Sequence, residues 1–269
     1  MKSRLPPAAG PQLAATGHLW GSYVTAQKIV TSSVELIVIS GGSQGIGRAL
    51  VRRFLAAGYA VATCARQPQS LAELAAEAAR DYPGAALHTL PADLGTHAEC
   101  QRFAAFALGL GLPLGAVIHN AGTYVPGRFQ DEPADGSQLR YMLDVNLLSA
   151  YDLTRALLPT LLEQGRGHIF TICSTASIMA YPNGGSYSIA KHALLGLTKT
   201  LREEVKTQGL RVTAVLPGAT LTRSWDGIGL PPERFIRPED VAEAVFGAFQ
   251  LAPSAVIEEL LIRPQLGDI

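Results

Sequence analysis

From Val34 onward, short apolar runs rich in β-branched residues alternate with longer stretches whose apolar positions recur every three or four residues. VELIVIS is the first such run and ends at small residues, as a strand buried on both faces does. GGSQGIG follows, and RALVRRFLAAG then has helical spacing with Gly58 as its stop. AVATCA predicts a second buried strand, SLAELAAEAARDY an amphipathic helix, and ALHTLPADL a third strand with its turn. HAECQRFAAFALGL predicts a helix, and GAVIHNAG a fourth strand that enters a loop. SQLRYMLDVNLLSAYDLTRALLPTLLEQG predicts one long helix, bent near Pro159. Strand GHIFTICS, long helix SYSIAKHALLGLTKTLREEVKTQG, strand LRVTAVLPG, helix PEDVAEAVFGAFQ and strand AVIEELLI complete the chain.

Strands that are apolar throughout, separated by helices, predict an α/β fold. The expected form is a doubly wound, Rossmann-like parallel sheet of about seven strands with helices on both faces. Short right-handed crossovers would place the strand C-terminal ends and their loops along one rim. With no internal repeat, residues 34–269 read as a single domain. Residues 1–33 read as a loosely ordered leader, because Pro and Gly interrupt LPPAAGPQLAATGHLW where a signal peptide needs an apolar run.

Composition narrows the function. Lys+Arg and Asp+Glu both number 22, so no overall field draws in nucleic acid or an anionic membrane. No uninterrupted apolar run reaches the roughly 18 residues of a transmembrane helix, and the expected location is the cytoplasm. Cys64, Cys100 and Cys173 are scattered without metal-ligand spacing and read as buried thiols, so no metal site is expected. His119 reads as packing at a strand end, and His192 as facing away from Tyr187 on its helix.

Ser40-Gly41-Gly42-Ser43-Gln44-Gly45-Ile46-Gly47 lies between the first strand and the first helix. Gly41, Gly45 and Gly47 supply a tight turn and close backbone approach to a phosphate, and the helix start aims free N–H groups at it. Such turns also occur for structural reasons alone, but the first βα position favours a nucleotide. After the second strand stand Ala65 and Arg66, where an NAD site would carry Asp or Glu for the ribose hydroxyl. Arg66 is either a partner for a 2′-phosphate, favouring NADP(H), or a solvated surface side chain.

Tyr187 and Lys191 lie four apart and share a helix face. An ammonium about 5 Å from a phenol at an effective dielectric near 20 favours the phenolate by about 3 kcal/mol, roughly two pK units. Tyr187 would then exchange a proton with an alcohol or carbonyl. Ser174 ends the fifth strand, where its hydroxyl can polarise a substrate oxygen. Asn146 sits within a helix, an unfavourable place that calls for a reason.

Together these residues resemble the short-chain dehydrogenase/reductase family, in its compact one-domain form, from about Val34 to the end. SGGSQGIG is similar to its TGxxxGxG loop, HNAG to its NNAG and YSIAK to its YxxxK, with Ser40 and His119 as mild departures. The resemblance implies a catalytic tetrad of Asn146, Ser174, Tyr187 and Lys191. In it Tyr187 is the acid/base and Ser174 positions and polarises the carbonyl. Lys191 lowers the tyrosine pKa and holds the nicotinamide ribose, and Asn146 anchors a water relay toward Lys191. Asp93 falls near the adenine, Asn120 and Gly122 along the nucleotide, and Thr222 at the carboxamide. Ser43, Gln44, Ile46, Leu94, Ala121, Pro217, Gly218 and Thr220 complete the implied cofactor-binding set. The family likeness also implies a helix-bundle interface giving a homodimer or homotetramer.

The expected activity is therefore NADP(H)-dependent hydride transfer to a small-molecule carbonyl, or from an alcohol. A ketone, an aldehyde or a 3-oxoacyl group, including one bound to a carrier protein, is the expected substrate. Thr123, Tyr124, Thr175 to Asn183 and Ala219 to Phe235 are its expected wall, mostly neutral and aromatic. The alternative is an NADP(H)-binding sensor that uses the same fold without turnover.

Overall fold

The computed structural model describes residues 34–225 and 227–269, and the leader expected over residues 1–33 lies outside them. Seven parallel strands form one sheet in the order β3-β2-β1-β4-β5-β6-β7. The strands are β1 (Leu36–Ser40), β2 (Ala60–Ala65), β3 (Leu87–Pro91), β4 (Leu114–His119), β5 (Gly167–Ile172), β6 (Leu210–Pro217) and β7 (Glu259–Ile262). Helices α1 (Gly45–Ala56), α2 (Pro68–Asp81), α3 (His97–Leu108), α4 (Ser137–Leu143), α5 (Ser149–Gln164), α6 (Gly185–Val205) and α7 (Pro238–Phe249) connect them. This is the doubly wound parallel sheet expected from the apolar runs.

The two-residue period of a strand explains how one apolar run feeds two cores. In β1, Leu36 and Val38 point to one face, where Phe103 of α3, Leu153 and Leu157 of α5 and Leu201 of α6 pack. Ile37 and Ile39 point to the other, against Leu50 and Phe54 of α1 and Val241, Val245 and Phe249 of α7. The outer strands behave differently: β3 is half-buried, and β7 alternates exposed and half-buried residues.

The helix expected over SQLRYMLDVNLLSAYDLTRALLPTLLEQG departs from a single regular rod. Its irregularity is a π turn at Asp144–Leu148 between α4 and α5, and Pro159 lies inside α5. The cause is Asn146, whose Nδ2 donates to the Met142 carbonyl at 3.1 Å and to the Thr123 carbonyl at 3.1 Å. A side chain bonding into the backbone ladder favours such a widened turn. The π turn therefore sits at a candidate site residue.

Strands β1, β2 and β3 step outward one way, while β4 to β7 step the other. The crevice between the C-terminal ends of β1 and β4 is the place where an open α/β sheet binds ligands.

Candidate active site

At that crevice the chain is tied by one hydroxyl. Ser40 Oγ, at the end of β1, accepts the backbone N–H groups of Asn120 at 3.0 Å and Ala121 at 2.9 Å. Asn120 Nδ2 answers by donating to the carbonyls of Ser40 at 3.0 Å and Gly41 at 2.9 Å. The serine thus retains the function a threonine hydroxyl would have. Two glycines permit the turn. Gly41 has φ of 71°, in the left-handed region, and a Cβ on Gly47 would overlap the Gly41 carbonyl oxygen. Gln44, at the start of α1, makes no side-chain cap, so the first helical N–H groups face the crevice without a side-chain partner.

A cavity of about 940 Å³ opens above this loop. Its wall includes Gly41, Ser43, Gln44, Gly45, Ile46 and Gly47, then Arg66, Asp93 and Leu94, then Asn120, Ala121 and Gly122. Asn146, Ser174, Tyr187 and Lys191 join them, with Pro217, Gly218, Thr220 and Thr222 on the far side. Every residue of the expected catalytic and cofactor-binding sets lies on this wall, whereas of the expected substrate wall Thr123, Tyr124, Thr175, Met179, Tyr181 to Asn183, Ala219, Thr220 and Thr222 to Trp225 do. Arg66 is exposed and makes no ion pair among the described residues. Thr222 faces Gly45, its Cγ2 standing 3.0 Å from where a glycine Cβ would be. Asp93 Oδ1 accepts the Gly95 N–H at 3.2 Å.

Ser174 follows β5 and caps a short 3-10 turn, its Oγ accepting the Ala176 N–H at 3.1 Å while Ser177 Oγ accepts the Ser174 N–H at 3.2 Å. Tyr187 and Lys191 stand on the first turns of α6. Lys191 is buried, and its Nζ donates to the Ile172 carbonyl at 2.9 Å and lies 5.8 Å from the centre of the Tyr187 ring. The Tyr124 ring meets Tyr187 edge-on at 4.9 Å.

Electrostatics corrects one expectation. Lys191 does not bring Tyr187 toward neutrality of pH: burial pushes the phenol above its ordinary value, with only a hydrogen bond from Ser174 pulling it back. Burial also pulls the lysine's own pKa down to about 8, so its charge persists near neutral pH but does not outweigh the desolvation of the phenol. Asn146 is likewise committed. Its Oδ1 accepts the Thr123 N–H at 3.1 Å, so its side chain holds the loop after β4.

The structure adds wall residues that the sequence left unmarked. Cys64 and Cys173, free and buried as expected, line the cavity, as do Asp268 and Ile269. The tail had no motif to reveal it; it is held by an Arg263–Asp268 ion pair and by Pro264, whose Cδ would stand 3.1 Å from a Cβ on Gly218. His119 packs at the end of β4 with Nε2 2.7 Å from Thr154 Oγ1, and His192 is absent from the cavity wall. Among the described residues no helix is long and apolar enough to cross a membrane, and no three His, Cys, Asp or Glu side chains group to hold a metal ion.

A Rossmann-like sheet with a glycine loop at its switch point and a serine, tyrosine and lysine on one wall defines a dinucleotide-dependent class of protein. The short chain dehydrogenase profile matches residues 35–230, and the chain belongs to that family. It is 28% identical over 243 residues to a sepiapterin reductase of Chlorobaculum tepidum, covering 87% of this chain and 98% of that one. Among solved structures, an alcohol dehydrogenase of the archaeon Thermococcus sibiricus complexed with 5-hydroxy-NADP superposes with a TM-score of 0.78 at 28% identity, covering 86% and 97% of the two chains. An actinorhodin polyketide ketoreductase variant with NADPH gives a TM-score of 0.78 at 25% identity, covering 88% and 98%.

Proposed function

We propose that this protein is an NADP(H)-dependent oxidoreductase that interconverts a carbonyl and an alcohol, working as a ketone, aldehyde or 3-oxoacyl reductase. The observation that carries the reading is the meeting of Asn146, Ser174, Tyr187 and Lys191 with the glycine loop and Arg66 on one cavity wall.

The residues present fit a dinucleotide. Gly47 lets the loop close against Gly41 and Asn120, where a Cβ would collide with both, and Lys191 uses one of its three donors within the protein among the described residues. No carboxylate follows β2 to repel a 2′-phosphate, and Arg66 has its guanidinium free of ion pairs there. NADP complexes of the archaeal and polyketide relatives support the same flavour. When bound, the nicotinamide supplies the hydride that a reduction needs.

The glycine loop and the start of α1 hold the pyrophosphate, Arg66 the 2′-phosphate, and Lys191 the nicotinamide ribose. Ser174 donates to the substrate oxygen and polarises the carbonyl. Tyr187 gives that oxygen its proton. The phenol enters this step protonated, burial having raised its pKa above the ordinary value. Tyr124, Met179, Tyr181 and Trp225 make a largely apolar wall, which favours a moderately apolar substrate over a multiply charged one. Residues 34–269 act as one oxidoreductase domain in this reading, in a cytoplasmic homodimer or homotetramer.

The test follows NADPH absorbance across a panel of ketones, aldehydes and 3-oxoacyl thioesters, with NADH in parallel. Tyr187→Phe is expected to lower kcat by about 10²–10⁴-fold while NADPH affinity stays within about twofold. Near-wild-type activity in that variant defeats the role of Tyr187. Silence of the wild type across the panel alongside tight NADPH binding favours the sensor instead.

A further inference from the structure

The start of α6 cannot cap itself. Its N-cap is Gly184 and its first residue Gly185, neither of which has a side chain to accept the free N–H groups of the first turn. The acceptor comes from elsewhere. Glu132, 54 residues earlier and in the loop between β4 and α4, places Oε1 2.7 Å from the Ser186 N–H, and its Oε2 accepts the Ser186 hydroxyl. Gln138 Nε2 donates to Oε1 at 3.2 Å and steadies the carboxylate.

The fit leaves no slack. Gly185 has φ of 29°, and a Cβ there would overlap Glu132 Oε1. A second stitch runs beside the first, with the Gly127 N–H donating to the Asn183 carbonyl at 3.1 Å. Ser186 is buried and directly precedes Tyr187. The same loop begins with Thr123, held by Asn146, and Tyr124, whose ring touches Tyr187. An anionic carboxylate also complements the positive end of the helix.

We propose that Glu132 is a positioning residue: by gripping the Ser186 N–H and hydroxyl together, it sets the first turn of α6 and so where the Tyr187 hydroxyl stands. The inference rests on the acid/base reading of Tyr187, but its structural half can be read without turnover. Glu132 is absent from the cavity wall and touches neither substrate nor cofactor.

The experiment compares Glu132→Ala and Glu132→Gln in the full chain, using NADPH with a carbonyl the wild type reduces, and amide hydrogen exchange over Ser186 to Ser188. Glu132→Ala is expected to lower kcat by about 10–100-fold, the scale of a catalytic group misplaced by about 1 Å, with the KM for NADPH within about twofold. Its first-turn amides should exchange about tenfold faster. Glutamine keeps one carbonyl acceptor and a group able to meet the hydroxyl, so that variant should recover to within about threefold of wild type.

Unchanged kcat in Glu132→Ala, unchanged exchange, or equal losses in both variants would overturn the proposal. Should Glu132→Ala not fold, Glu132→Gln decides: a loss beyond about tenfold refutes the two-point grip. If the wild type reduces no carbonyl, the functional reading fails, and the exchange comparison alone then judges the tether.

Discussion

His119 offers a quantitative test of how the base of the site is built. It ends β4 one residue before Asn120, is buried, and has no partner on Nδ1 among the described residues. Burial pulls its pKa down from about 6.5 to about 4. A histidine depressed in this way stabilises the fold fully above about pH 6.5, and that stability is lost as the pH falls toward 4, because only the unfolded chain takes up the proton. At pH 5 the loss from this one group is about 2 kcal/mol. His168, stacked on Phe170 and pulled to about 2 by burial, adds a similar loss at the same pH. Replacing His119 by asparagine, the residue at the equivalent place in the family pattern, removes its titration and leaves an amide able to meet Thr154. Urea unfolding at pH 7.5 and pH 5.0 is the assay. The drop between the two should be about 2 kcal/mol smaller in His119→Asn than in the wild type, with carboxylate contributions cancelling in the comparison. An unchanged drop would mean that His119 is not held neutral in the folded state.

Two further outcomes follow from two basic residues of the cavity wall. Arg66→Ala should weaken NADPH binding by about 10–100-fold, the worth of a charge-assisted phosphate contact, while NADH affinity moves less than about threefold; fluorescence titration with both cofactors checks this, and equal losses remove Arg66 from the phosphate. Lys191 has a folded pKa of about 8 against about 10.5 unfolded, so its penalty is present below pH 8 and disappears as the pH rises through 10.5. The stability advantage of Lys191→Met over the wild type should therefore shrink by about 3 kcal/mol between pH 7 and 10.5, measured as a difference so that Cys64 and Cys100, raised to about 12 and acting the other way, cancel; a constant difference would show that the lysine is not desolvated.

Local pattern carried the fold far because a parallel sheet writes itself as apolar runs. The AVATCA run is β2 from end to end, and LIVIS is β1 with every residue buried. The edges were harder to read: AVIEELLI yielded a strand only over Glu259–Ile262, since an edge strand has one neighbour to set its length. The π turn was invisible in the helical period because it is caused by Asn146 reaching Thr123, a contact between two elements. The cavity wall was legible where residues sit at strand ends, whose position the topology dictates. It was not legible at Asp268, which lies in the tail without a motif, and neither was the contact of Glu132, off the wall, with Ser186 54 residues later.

The same distinction explains the one electrostatic reversal. Spacing alone put an ammonium beside a phenol and so made the phenol acidic, treating both as if the medium between them were uniform. Packing removes water from both groups at once: Tyr187 is enclosed by Tyr124, Tyr181 and Cys173, and Lys191 by the floor of β5. Desolvation disfavours a phenolate and an ammonium alike, so each group moves toward its neutral form and the pair loses the attraction that would have held both charges. The site is thus set with a protonated tyrosine and a lysine held near its titration point. Burial therefore makes Tyr187 a weaker proton donor than a free phenol, and in the proposed reaction the proton still moves because the alkoxide oxygen left on the substrate is more basic than the phenolate, with Lys191 beside it able to return a proton.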